Sequence, residues 1–207
     1  MRLWAGFPRR LRHCRRALRI LVGYKRAANA AMTINPALYG IAGDAWLYDV
    51  LKGKGWLLGP RATRTVELGD DASYFLLMAV GKSGLAMIGD LAMIGDKEMF
   101  VMMGRKRISD ASDDGVVDLT VEFSVGEGMR PISGYSPKAV NVSAVHGRLS
   151  SPVWTASTRM FSVNVRPEPG TRTARLRISQ VGQVTPPPRG GACAPRCAAP
   201  PGSGPVQ

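Results

Sequence analysis

The chain has 207 residues and a net charge of +13, from 28 Lys and Arg against 15 Asp and Glu. That length holds one or two domains. Three cysteines (Cys14, Cys193 and Cys197) are too few and too scattered for a disulfide framework, although the last two would close a small loop. No apolar run nears the ~18–20 residues that a membrane-spanning helix requires.

The charge belongs to the ends. Residues 1–26 carry eight Arg and one Lys with no acid, and every Asp and Glu lies between Asp44 and Glu168. From Thr185 onward the chain is mostly Pro, Gly, Ala and Ser, with Arg189 and Arg196. With +9 in the first stretch and +2 in the last, only +2 of the total remains for everything between. Three segments follow: a basic N-terminal extension (1–43), a β-domain (44–180) and a low-complexity tail (181–207).

The extension admits three readings. Ala17, Leu18, Ile20, Leu21, Val22 and Tyr24, set among Arg10, Arg12, Arg15, Arg16 and Arg19, make a short basic segment. Such a segment suits an anionic membrane or nucleic-acid phosphate. It also suits an organelle-targeting peptide, or an unstructured extension from a start codon placed upstream of the true coding region. It is a poor secretory signal, because Arg and Gly interrupt any apolar stretch. Its expected conformation is disordered or weakly helical, and the tail is expected to be disordered.

From Trp46 the chain reads as strands. Short runs of β-branched and aromatic residues alternate with Gly, Pro, Asp and Ser clusters every eight to twelve residues. Residues 46–51, the turn Lys52-Gly53-Lys54-Gly55, and residues 56–60 make a hairpin by pattern. Residues 64–68 follow. Residues 73–80 are apolar on both faces, as a central strand requires. Gly81-Lys82-Ser83-Gly84 turns the chain into residues 85–88. In residues 116–123, Val117, Leu119, Val121 and Phe123 alternate with Asp118, Thr120 and Glu122. Residues 140–144, 160–165 and 173–178 complete the set. The pattern predicts an all-β fold, an antiparallel β-sandwich of about eight to eleven strands.

Leu85-Ala86-Met87-Ile88-Gly89-Asp90 is repeated at once as Leu91-Ala92-Met93-Ile94-Gly95-Asp96. Six is even, so the insertion preserves which side chains face inward. A recent tandem duplication, or an artefact of sequencing, accounts for it better than function does.

Residues that would carry chemistry are scarce. Asp70-Asp71 and Asp113-Asp114 sit in turn settings, where Asp bonds its own backbone. Asp90, Asp96 and Glu98 lack the spacing of a calcium loop. His13 and His146 are too far apart for a histidine metal site. Ser83 stands in a loop without the glycine spacing of a phosphate cradle. Asn141-Val142-Ser143 matches a glycosylation acceptor, a pattern that matters only in a secreted eukaryotic chain. No catalytic, metal or cofactor residues are identified. Among the aromatics, Trp46, Trp56, Trp154, Tyr48, Tyr74 and Tyr135 would form a flat sugar-stacking row or fill a core or a seam. Core or seam is favoured over the row, because the Trp residues are not spaced i, i+2 on one strand.

Lys82-Ser83-Gly84-Leu85-Ala86, then Gly104-Arg105-Lys106-Arg107-Ile108-Ser109, Asp113-Asp114-Gly115, Phe123, Gly134-Tyr135-Ser136-Pro137 and Arg175-Leu176-Arg177-Ile178 occur in that order. With Tyr48-Asp49-Val50 and Leu58-Gly59, this run resembles the C-terminal β-sandwich domain of bacterial glycoside hydrolase-like proteins, of the alpha-galactosidase or raffinose-synthase-like kind. The resemblance covers about Trp46 to Ser179. It implies an accessory domain that follows a catalytic barrel, in a family often secreted or periplasmic. A barrel of ~250 residues should then precede the domain, and here some forty unrelated residues do, so no catalytic residue carries over. The expected function is that of a non-catalytic accessory domain, with a barrel or a glycan as partner. Trp46, Tyr48 and Trp56 are expected at the domain seam or on the glycan. The rival expectation is a nucleic-acid- or membrane-binding protein acting through residues 1–26.

Overall fold

The computed structural model describes residues 18–25, 30–69, 73–89 and 108–183. Among them run fifteen strands, β1 (Leu18–Gly23), β2 (Ala31–Ile34), β3 (Ala45–Asp49), β4 (Lys54–Leu58), β5 (Arg64–Glu67), β6 (Ser73–Ala79), β7 (Ala86–Gly89), β8 (Ile108–Asp113), β9 (Val117–Glu122), β10 (Arg130–Tyr135), β11 (Val140–His146), β12 (Arg148–Leu149), β13 (Val153–Thr155), β14 (Met160–Arg166) and β15 (Thr173–Gln180). Every pairing is antiparallel. The fold is all-β, as the alternating pattern predicts. The strand count exceeds eight to eleven because several strands are short and lie outside the runs recognised by composition.

The strands form four sheets. Sheet I has the order β1-β6-β3-β4, and sheet II pairs β2 with β5. Sheet III has the order β12-β14-β10-β7, with β13 also on β14, and sheet IV has the order β11-β15-β9-β8. Sheets I and II enclose one core, which includes Leu21, Ile34, Leu47, Val66, Phe75 and Leu77. Sheets III and IV enclose a second, built from Val117, Leu119, Val121, Ile132, Phe161, Val163, Val165, Leu176 and Ile178. The alternation along β9, β14 and β15 supplies that core, one side chain in two facing inward.

Sheet I is buried on both faces at its centre. In β3, Leu47 faces the first core while Trp46 and Tyr48 face the other way. In β6, Phe75 and Leu77 take the first side and Leu76 and Met78 the second. That second face meets Ala86 of β7 and Tyr135 of β10, which belong to sheet III. The doubly apolar run read at 73–80 is therefore a central strand, flanked by β1 and β3.

The N-terminal boundary needs correction. Residues 18–25 and 30–43, expected in a disordered or weakly helical extension, contribute two strands and the 3-10 turn Pro36–Tyr39. β1 runs in full register along β6 from Leu18↔Met78 to Gly23↔Ser73. Leu21, offered above to a membrane, is 4% exposed within the first core, and Ile20 packs on the opposite side of the sheet. Arginine density hid a strand whose apolar residues are spent on both faces of sheet I. Alternation in β2 spans only four residues, with Met32 and Ile34 inward, too few to stand out. Asn35 then caps the turn, its side-chain oxygen accepting from the Ala37 N–H at 3.0 Å.

β10 lies outside the runs that the sequence pattern marks as strands, and it contains Pro131, a residue that a central strand excludes. β7 reaches only Ser133 to Tyr135 of β10, so Pro131 lies beyond the end of that pairing. Its missing N–H costs the ladder nothing on that side. The second copy of the duplicated hexapeptide, Asp70-Asp71, Asp90, Glu98, Gly104 to Arg107, His13 and all three cysteines lie outside the described residues.

The burial of β1 is directly measurable. Leu21→Ala should lower the unfolding free energy by about 2–5 kcal/mol, the usual cost of truncating a buried leucine. Urea denaturation checks it, and a loss within about 0.5 kcal/mol, as at ordinary surface positions, would mean that β1 does not belong to the sheet.

Candidate functional site

The three aromatics nominated from the sequence do not converge. Trp46 and Tyr48 lie on one face of sheet I, and Trp56, opposite Leu47 in register, lies on the other. Trp46 is 3% exposed and stacks on Tyr135, ring centroids 4.0 Å apart and planes 20° from parallel. The seam that Trp46 fills is thus internal, between sheets I and III of this chain, and not one left open for another domain or a glycan. Its indole also lies over β4 at Gly55, where a side-chain carbon would stand 2.1 Å from Cζ2. Only glycine lets the indole lie that close to the strand. The indole Nε1 is buried without a hydrogen-bond partner. Burying a polar N–H in that way is unfavourable, so the stack and the surrounding apolar contacts must outweigh it.

Trp56 is half-buried against the first core, and the Arg64 guanidinium lies 4.8 Å from the centroid of its ring, a cation–π contact. Trp154, also half-buried, donates its indole N–H to the Ser136 carbonyl at 3.0 Å. The exposed aromatic among the described residues is Tyr24 on the first sheet's flank. No flat row of rings is available there for pyranose stacking.

Tyr48 packs against the seam from its edge. Burial pushes its hydroxyl above the ordinary value of 10.0, and the neighbouring Asp49 charge adds to the shift. Tyr39 is raised by burial alone. Asp49 itself is occupied locally, its Oδ1 accepting the N–H groups of Leu51 and Lys52 at 3.1 and 2.9 Å.

A polar cluster missed by the sequence reading lies at one end of the C-terminal sandwich. The sequence pattern places Ser83 and Asp113 in separate turns, and the fold brings them together across thirty residues. Asp113 Oδ2 accepts the Ser83 hydroxyl at 2.8 Å, and Oδ1 accepts the Ser83 and Gly115 N–H groups at 2.9 and 3.1 Å. Two glutamines extend the tie to the end of β15. Gln180 Nε2 donates to the Ser83 carbonyl at 2.7 Å, and Gln183 Nε2 to the Gly115 carbonyl at 2.7 Å. One signal for this was available: Ser in a turn before one strand and Asp at the end of another, with two Gln just past the last strand.

An open cleft of about 420 Å³ lies over this cluster, lined by Lys82, Ser83, Gly84, Lys138, Gln180 and residues 181–183. Its chemistry is structural. Ser83 is 2% exposed, and its Oγ donates to Asp113 while accepting from the Leu85 N–H at 3.3 Å. A serine nucleophile needs an accessible oxygen and a base relay. His146 stands at the far end of β11 from Val140, whose partner is Gln180. Lys82 pairs with Asp114 at 3.6 Å on the surface. Among the described residues no three His, Cys, Asp or Glu side chains are grouped to hold a metal ion. No helix among them is long and apolar enough to cross a membrane.

No family model matches the chain, and no curated protein matches it either.

Two measurements follow from this geometry. Asp113→Asn keeps the shape but loses an acceptor, and leaves a buried donor facing other donors. It should cost about 1–3 kcal/mol in urea denaturation, with Ser83→Ala costing less. The second concerns alkaline pH. Because the folded chain holds the Tyr48 proton more tightly than the unfolded chain, this contribution is complete below pH 10 and is lost as pH rises through the raised value. Tyr48→Phe should therefore flatten the fall of thermal stability above pH 10, with wild type as the comparison. An unchanged slope would mean that Tyr48 ionises freely.

Proposed function

We propose that this chain is a non-catalytic accessory β-domain of a carbohydrate-active, glycoside hydrolase-like protein, whose role is to pack against and stabilise a catalytic barrel. The observation that carries this reading is the outer rim of sheet I. β4 is the terminal strand of that sheet among the described residues. Beside it, Leu51 and Leu57 are 56% and 46% exposed.

Natural sheets cover or charge such an edge, because an open ladder with apolar side chains invites association. Lys52 and Lys54 flank the turn end of β4, and Leu57 at the other end has no charged neighbour in sequence. A second domain seated on this rim would satisfy the open edge and cover both leucines. The hairpin concerned, β3 to β4, contains the Tyr48-Asp49-Val50 and Leu58-Gly59 signatures that carry the family resemblance. The interior also suits a scaffold. Its aromatics join sheets, and its buried Ser–Asp pair holds turns together.

The DNA flanking the reading frame, translated in all frames, should encode a barrel with carboxylates at its strand ends. Co-expressed with this chain, that barrel should co-elute from gel filtration, and the Leu51→Ser/Leu57→Ser double variant should separate the two. Flanking DNA without a barrel in any frame, or a barrel that elutes alone beside the wild-type chain, overturns the reading.

A further inference from the structure

Charge in the C-terminal sandwich is sorted along the chain in a way that its near-neutral total conceals. Residues 108–127 contain six acids and no Lys or Arg, whereas residues 128–183 contain eight Lys and Arg and one acid, Glu168. The topology then gathers part of the basic half at one corner. Arg148 on β12 and Arg166 on β14 are direct cross-strand partners. Both lie on the face of sheet III opposite Leu149 and Val165, which pack on the core.

Gly147 joins β12 to β11, whose last residue, His146, is the partner of Arg175 on β15. The chain passes from sheet IV to sheet III at this one residue, with φ of +100°, a conformation suited to glycine. A side-chain carbon on it would stand 2.7 Å from the Arg166 carbonyl oxygen and 2.8 Å from Ala174 Cβ. Arg148, Arg166 and Arg175, with Arg172 in the connection from β14 to β15, therefore surround one tight corner.

These four arginines are all exposed. Among the described residues none of their side chains has an ion pair or hydrogen bond. Two other arginines of the same sandwich do have a carboxylate partner. Arg177 holds Asp118 through two bonds of 3.1 and 3.2 Å, and Arg130 is paired with Glu127. At the corner, Glu168 accepts from the Gly147 N–H at 3.3 Å, and Glu122 lies one strand further in, opposite Thr173. Like charges placed directly opposite on a sheet are destabilising. Folding alone therefore gives no reason for the Arg148–Arg166 pair.

We infer that this corner binds an anionic polysaccharide, its carboxylates held by Arg148, Arg166, Arg172 and Arg175. The guanidinium fork matches a carboxylate through two parallel hydrogen bonds. The choice of a glycan rests on the accessory-domain reading above. It also fits the surroundings, since binding of single-stranded nucleic acid draws on exposed aromatic platforms and none of the described aromatics at this corner is exposed.

The test is affinity electrophoresis of the full chain through gels containing polygalacturonate, with the fully methyl-esterified polymer and duplex DNA run in parallel. Two double variants remove the same charge from different places, Arg148→Gln/Arg166→Gln at the corner and Lys54→Gln/Arg61→Gln on the N-terminal sandwich. Polygalacturonate should retard the wild type and the esterified polymer should not. The corner variant should bind about tenfold more weakly, with its thermal midpoint held or raised, while the control variant binds as wild type. No retardation of the wild type, or equal losses in both variants, overturns the site, the second outcome pointing to net charge alone. Duplex DNA that binds more tightly than polygalacturonate, and is released by the same two substitutions, overturns the glycan. The accessory-domain reading fails separately, on the absence of a barrel reading frame.

Discussion

The structure depends on sheet I having no solvent face at its centre. β3 and β6 each send alternate side chains into two different apolar clusters, so the same strands close the first core and form the seam to the second sandwich. The Trp46–Tyr135 stack is the middle of that seam. Stacked rings of this kind contribute about 0.5–1.5 kcal/mol beyond the area they bury. The larger effect is architectural, because Trp46 cannot be repacked without disturbing β3, β4 at Gly55 and the end of β10 together. The unpartnered indole N–H fits this picture. A position chosen for the shape of its ring retains tryptophan even where its polar atom finds no acceptor.

Strand content was legible in the sequence wherever one strand feeds one core. β9, β14 and β15 alternate cleanly, and residues 116–123, 160–165 and 173–178 locate them almost residue for residue. Legibility failed where other terms dominated. β1 was obscured by the arginines around it, although Leu21, buried, and Ile20, partly buried, pack as strand residues on opposite faces. β10 carries a proline that is harmless only because β7 is short, a fact of tertiary structure. β12 and β13 are held by their partner β14 more than by their own composition, and strands of two or three residues have no periodicity to read.

The site was less legible than the fold, for a related reason. Trp46, Tyr48 and Trp56 stand close in the sequence, yet strand parity puts Trp56 on the face away from the other two. Spacing within a hairpin indicates which residues share a face only when the register is known. Asp113 shows the converse. Its bond to the Gly115 N–H is the local turn contact that composition implies, whereas its two bonds to Ser83 join turns that no sequence window contains. Long-range polar ties of this kind fix how loops meet at a sandwich end, and they leave no local pattern.

Aromatic and charged residues divide the work of this domain between inside and outside. With Trp46 and Tyr135 stacked in the seam, Trp56 under Arg64 and Trp154 bound to the Ser136 carbonyl, the described tryptophans serve packing. Specific contact with anything outside then falls to polar groups and to the leucines beside β4. Charge is where the described surface departs from what stability alone would select. An exposed ion pair contributes little, so unpaired arginines cost a fold little when dispersed. Two placed directly across a ladder, at a corner so tight that it requires glycine, are a different matter. Their mutual repulsion is built into the ladder register, and an arriving anion relieves it. A corner of that kind is at its most stable when occupied, which is the thermodynamic description of a binding site.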